Sequence, residues 1–306
     1  MEVQALAAEL RNLGIRNIKP DEPVAPYTSY RIGGPARLWI EPQSEAEIAV
    51  ILRSLARYNL PLIVIGRGSN VLVSDQGIDA AVLHIGENLS GIQFDNDTAT
   101  VMAGTLLQQL IEQAVKKGWA GVEQLSGIPG GIGGALRMNA GAFGAEIESV
   151  TVSVNGCRPD GSPFDLNRDQ INFGYRSAPE LKTGVITRAC FRFTPGDRSE
   201  LTATMNDILA RRASRQPLEY PSCGSVFKRP PGHYAGRLIE TAGLKGARMG
   251  GAMVSPKHAG FIVNTGAATA SDVYRLIRRI ETEVEQRFGV KLEREVRLIG
   301  AFAQNA

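Results

Sequence analysis

The stretch from Gly127 to Gly144, GIPGGIGGALRMNAGAFG, puts glycine at seven of its eighteen positions. Glycine loses more conformational freedom on folding than any other residue, so such a cluster needs a reason: positive φ, close packing, or close approach of backbone to a ligand. Amides left uncovered by missing Cβ atoms can cradle a phosphate, especially where a helix opens behind them. A tight loop between packed elements produces the same composition. A second glycine loop, GRGSN at Gly66 to Asn70, precedes it.

Neither loop matches a common nucleotide fingerprint. A Walker loop needs Lys-Ser or Lys-Thr after its last glycine, and none follows; in the earlier loop Val71 stands where the dinucleotide-binding fold wants glycine. A P-loop NTPase and a Rossmann dehydrogenase are therefore disfavoured. Two separate loops approaching one ligand suit a long, pyrophosphate-containing cofactor such as FAD.

The rest of the composition narrows the class. With 306 residues, 43% hydrophobic and 21% charged, the chain can bury a large core and divide into two or three domains. A net charge of +3 without a basic run argues against nucleic acid. Cys157, Cys190 and Cys223 are too far apart for a CxxC motif, and His84, His233 and His258 show no ligand spacing, so no metal is expected. The cysteine count fits a reducing compartment, hence the cytoplasm. Met1 to Gly14 reads as an amphipathic packed helix without the apolar core of a signal peptide, and no apolar run is long enough to span a membrane.

Helical and strand signals alternate over the first two-thirds of the chain. SEAEIAVILRSLARYN opens with Ser44 and Glu47 in capping-box spacing. PLIVIG and VLVSD read as buried strands on either side of GRGSN. TLLQQLIEQAVKKG reads as a helix with Thr105 as N-cap and Gly118 just past its end. SVTVSVNG, CRPDGSPFDL and GVITRACFRFTP form an antiparallel meander with Asn-Gly and Asp-Gly turns. The helix SELTATMNDILARRASR then leads to a proline-bounded boundary near residue 216. Beyond it, SDVYRLIRRIETEVEQRFG is the clearest helix, with Ser271 as N-cap and Gly289 past its end, and VKLEREVRLIG reads as a closing strand.

Seven segments in register carry a resemblance over roughly residues 25 to 300. They are YRIGGPARLWIEP, IGRGSNVLVSD, LSGIPGGIGGALRMNAGAFG, FGYRSA, SCGSVFKRPPG, GLKGARMGGAMVSPKHAGFIVN and GVKLEREVRLIG. In this order they resemble the UDP-N-acetylenolpyruvoylglucosamine reductases, flavoenzymes of peptidoglycan precursor synthesis, in the shorter of two variants. Met253 departs from the pattern, which suggests Gln or another small or polar residue there. The resemblance implies an α+β chain. An FAD-binding region of the vanillyl-alcohol-oxidase type over residues 1–215, in subdomains of about 1–85 and 86–215, precedes a smaller α/β substrate-binding domain over 216–306.

It also implies an activity: NADPH reduces a noncovalently held FAD, and the enolpyruvyl UDP-sugar takes hydride at C3 and a proton at C2 to give UDP-N-acetylmuramate. The catalytic positions matched are Arg176, Ser225 and Glu295. Glu293 shares a strand face with Glu295, so spacing does not choose between them. The expected cofactor residues are Tyr30 and Arg31, then Gly66, Arg67, Gly68, Ser69 and Asn70, then Gly127, Ile128, Pro129, Gly130, Gly131, Gly133 and Gly134. Lys228, Lys257 and His258 are candidates for the diphosphate and uridine end. Two alternatives remain: a flavin-dependent oxidase using the same cofactor fold, and a nonenzymatic flavin or nucleotide-sugar binder.

Overall fold

The computed structural model describes residues 2–58 and 60–302; Met1 and Asn59, end residues of two expected helices, lie outside them. The chain separates into two compact units. The first comprises Met1–Pro20, Leu38–Arg67 and Ala80–Arg211, and the second Asp21–Arg37, Gly68–Asp79 and Arg212–Ala306.

The first unit carries helices α1 (Glu2–Asn12), α2 (Glu45–Tyr58), α3 (Leu107–Lys116) and α4 (Ile132–Arg137). One sheet has four strands in the order Ile18–Pro23, Pro35–Ile40, Ile78–His84 and Leu62–Ile65, the last two parallel. A second sheet is an antiparallel ladder of Pro163–Asn167, Thr151–Cys157, Val185–Arg192, Thr98–Met102 and Ile92–Asp95. Helix α3 buries Leu107, Leu110, Ile111, Ala114 and Val115, a stripe at helical spacing. Each of its larger side chains contributes about 1.5–3 kcal/mol by leaving water. Its last turn closes through Gly118 at φ +76°.

Helix α5 (Arg198–Arg215) runs across the division at Arg211 and Arg212. The second unit then holds α6 (Ala235–Thr241), α7 (Ala270–Phe288) and a three-stranded antiparallel sheet of Arg248–Met249, Ala252–Val254 and Ile262–Asn264. Val71–Val73 pairs in parallel with Arg297–Ile299. Val273, Leu276, Ile277, Ile280 and Val284 of α7 pack with Leu238, Ile239, Val254 and Ile262 in its core. No helix among the described residues is long and apolar enough to cross a membrane.

Four local expectations change. Thr105 does not cap α3: its hydroxyl accepts from the Gly91 amide at 2.9 Å, and Gln109 Oε1 accepts from Leu106 N. Thr269 rather than Ser271 caps α7, because Thr269 and Asp272 bond reciprocally while Asp75 takes the Ala270 and Ser271 amides. The Asn155-Gly156 pair makes no turn. It lies inside strand Thr151–Cys157 at a register shift, where a Cβ on Gly156 would strike Val185 O and the Phe164 ring. The closing segment pairs as a strand only over Arg297–Ile299, with an isolated bridge from Arg294 to Phe227.

Candidate active site

In the first unit the later glycine loop is tied down from below. Ile132 N donates to Thr105 O and Gly133 N to Ala103 O, both at 2.9 Å, while Leu107 N donates to Gly130 O at 3.0 Å. Gly127 N donates to Gln108 Oε1 at 2.9 Å and Ile128 N to Leu125 O, with Pro129 exposed at the loop's tip. These amides brace the loop and are not available to a ligand. Those of Gly130, Gly131 and Gly134 have no partner among the described residues. A Cβ on Gly131 would sit 3.0 Å from Ala103 O and one on Gly133 3.2 Å from Ala103 Cβ, but one on Gly134 would meet nothing within 4 Å.

Arg67 reaches this same place. Arg67 donates to Gly104 O at 3.0 Å and pairs with Glu87 at 3.1 Å, and its Cγ lies 3.7 Å from the Cβ position of Gly131. Its Nε is buried without a hydrogen-bond partner among the described residues. A buried guanidinium N–H left unpaired is costly. With open glycine amides close by, it fits a diphosphate, and so the site fits the cofactor these loops suggested.

Arg176 occupies a two-residue turn closed by Gly174 and Ser177, at φ +54°, a conformation rare outside glycine. Its guanidinium lies over the Tyr175 ring and donates to Gly141 O at 3.2 Å. The turn is held by Asn139, fully buried at φ +40°, which donates to Gly174 O and Glu146 and accepts from Glu148 N. Sequence reasoning passed over Asn139. Its signal was a polar residue inside a glycine-rich run.

In the second unit the outer half of the earlier loop has a different basis. Gly68, at φ +60°, lies so close to Tyr27 and Thr28 that a Cβ would strike Tyr27 O and stand 2.7 Å from Thr28 Cα. Ser69 is half-buried, and Asn70 donates from Nδ2 to Glu295 O at 3.1 Å. Val226 then joins three segments: its N–H donates to Gly260 O at 2.9 Å, and its carbonyl accepts from Glu295 N at 2.8 Å. Ser225, next to Val226, is exposed.

The two glutamates separate here. Glu293 is exposed and ion-paired to Lys228, whereas Glu295 is half-buried and its carboxylate acts on the Cys223 thiol. Cys223 is buried, and burial, reinforced by that carboxylate, pushes its thiol up to about 12. The thiol therefore stays protonated at neutral pH, but it is buried, whereas Ser225 is exposed. Tyr30 is fully buried in the unit's core, with its hydroxyl against that thiol and its carbonyl accepting from Asn264. Its side chain has no exposed surface for a cofactor, while Arg31 beside it is exposed at φ +55°.

Lys257 donates to Ala213 O at 2.8 Å and lies 3.8 Å from Glu219. His258 is half-buried, and Met253 is buried in strand Ala252–Val254 opposite Val263. Among the described residues no group of three His, Cys, Asp or Glu could hold a metal.

Comparison with known proteins decides the family. Residues 216–299 match the model of the UDP-N-acetylenolpyruvoylglucosamine reductase C-terminal domain, and residues 36–167 match that of an FAD binding domain. UDP-N-acetylenolpyruvoylglucosamine reductase from Clostridioides difficile is 40% identical over 292 residues, covering 95% of this chain and 96% of its own. The chain belongs to that family. The enzyme of the same name from Levilactobacillus brevis is 44% identical over 281 residues, with 92% of each chain covered. The crystal structure of the family member from Thermus caldophilus superposes with a TM-score of 0.78 at 34% identity, over 93% of this chain and 98% of its own. Family membership favours the reductase over the oxidase and the nonenzymatic binder.

Proposed function

We propose that Arg176, Ser225 and Glu295 carry the reduction of UDP-N-acetylglucosamine enolpyruvate to UDP-N-acetylmuramate, the reaction of this family. Bound FAD would supply the hydride carrier between NADPH and C3 of the enolpyruvyl group. Everything else falls to the protein's own residues. The open amides of Gly130, Gly131 and Gly134, with Arg67, hold the cofactor's diphosphate without a covalent bond.

Addition at C3 drives negative charge toward the substrate carboxylate, and Arg176 offers a fixed cation for it. Ser225 delivers the proton to C2. A serine hydroxyl is a weak acid, so this works only because the accepting carbon is strongly basic and the donor is placed in advance. Once that proton has gone to C2, Glu295, in the adjoining segment, serves to return a proton to the Ser225 oxygen. Lys228 and Lys257 take the diphosphate by exchanging their present partners, Glu293, Glu219 and the Ala213 carbonyl. We place the enzyme in the cytoplasm, where its three free cysteines stay reduced.

The observation that supports this reading is the double bonding of Val226, which joins the backbone next to Ser225 to that of Glu295. Glu295→Gln is expected to lower turnover by about 10²-fold or more, on the scale of a lost general acid–base group, and Glu293→Gln to stay within about threefold. Steady-state rates with NADPH and substrate give the ranking. The reverse order would put the catalytic carboxylate two residues earlier, and equal mild effects would remove both from catalysis.

A further inference from the structure

His258 has a bonding pattern that contact with a diphosphate does not explain. Gly260 N donates to His258 Nδ1 at 3.1 Å, so that nitrogen is an acceptor and the ring is neutral with its proton on Nε2. Burial holds the imidazole below its ordinary pKa. Lys245 pushes the same way, while a backbone hydrogen bond and Glu240, itself paired to Lys245, oppose it. The ring is also fixed in place. Ser255 Oγ accepts from the His258 and Lys257 amides, Phe261 N donates to His258 O, and the Phe261 ring meets the imidazole edge-on at 4.9 Å.

The residue so held, Gly260, is buried against the proposed proton donor. A Cβ there would lie 3.0 Å from His258 Cε1 and 3.7 Å from Ser225 Oγ, so the imidazole and the hydroxyl flank one glycine. The Gly260 carbonyl accepts from Val226 N at 2.9 Å, and Phe261 bridges to Ser225.

We propose that His258 is a positioning residue for Ser225: its Nδ1 orients the Gly260 peptide, which in turn fixes the Ser225–Val226 segment at the substrate. This rests on Ser225 being the proton donor. A proton donor displaced by about 1 Å can lose on the order of 10²-fold in rate, so a bond to a neighbouring glycine can govern the second half-reaction without touching substrate.

Two substitutions separate the inner nitrogen from the outer one. Asparagine places its amide oxygen where Nδ1 stands, and glutamine places its amide near Nε2. In stopped flow, with flavin reduced by NADPH and then mixed with enolpyruvyl UDP-sugar, His258→Asn should reoxidise within about threefold of wild type, and His258→Gln about 10- to 100-fold slower. Both should accept hydride from NADPH normally.

Glutamine exceeding asparagine would overturn the proposal in favour of substrate contact by Nε2. Equal rates in the two variants, whether both slow or both normal, would also overturn it. Ser225→Ala serves as the control. If it reoxidised normally, the proton-donor assignment would fail, and the ring's role at Gly260 would be judged by nitrogen-15 NMR alone. That spectrum should show His258 neutral at pH 7 with an unprotonated Nδ1; a protonated Nδ1 would refute the bond on which the inference stands.

Discussion

At Gly68 an added methyl group would strike the Tyr27 carbonyl; at Gly134, in the other glycine loop, it would meet no atom within 4 Å. Gly68 also sits at φ +60°, whereas Gly134 lies in the opening turn of α4 with an ordinary backbone. One glycine is absent a side chain because its own chain fills the space. The other has no such neighbour, and the space beside it is open. A glycine-rich sequence thus mixes positions where the chain leaves no room for a side chain with positions where it leaves open space, and only the surroundings of each Cβ tell them apart.

The comparison breaks most visibly at Gly68. Gly68→Ala should destabilise the apoprotein by about 2–4 kcal/mol, from the clash with Tyr27 together with strain at positive φ, in denaturant unfolding. An unchanged midpoint would mean that the chain there gives way easily and that the glycine serves something else.

Gly134→Val sharpens the contrast. It should leave unfolding of the apoprotein within about 1 kcal/mol, since no neighbour resists it, yet weaken FAD retention by about tenfold or more, which is 1.4 kcal/mol per decade. Equilibrium dialysis of flavin measures this. Full retention would move the cradle away from α4. Gly131 is a poorer probe, because valine there also crowds Ala103 O.

The smallest effect is expected at Asn70. Its bond to Glu295 O is one neutral hydrogen bond, so Asn70→Ala should cost about 1 kcal/mol of stability and no more than about tenfold in turnover. A loss as large as that of Glu295→Gln would show that Asn70 acts on the reaction directly.

What the sequence made legible was local. The stripes of α3 and α7, the turn at Gly118 and the end of α7 at Gly289 follow from periodicity and from glycine at φ +76° and +67°. The start of α7 was misread because Asp75, distant in the chain, occupies the amides that Ser271 was expected to serve. Asn155-Gly156 has the composition of a turn but lies where Val185 O and Phe164 leave no room for a side chain.

Site geometry was less legible still. Glu293 and Glu295 are equivalent by spacing, and only the bonds of Val226 and the Lys228 pair distinguish them. Cys223, two residues before Ser225, gives no sign in the sequence of its burial against Tyr30. Arg176, Ser225 and Glu295 could be named only through resemblance, since no local pattern marks a residue whose partners lie far along the chain.

The central claim is that Ser225 gives up a proton in the second half-reaction and takes no part in the first. Stopped flow on Ser225→Ala tests it directly. Flavin reduction by NADPH should run at close to the wild-type rate, and reoxidation by the enolpyruvyl UDP-sugar should slow by about 10²- to 10⁴-fold, with Ser225→Cys restoring part of it. Reoxidation of Ser225→Ala at the wild-type rate would contradict the account.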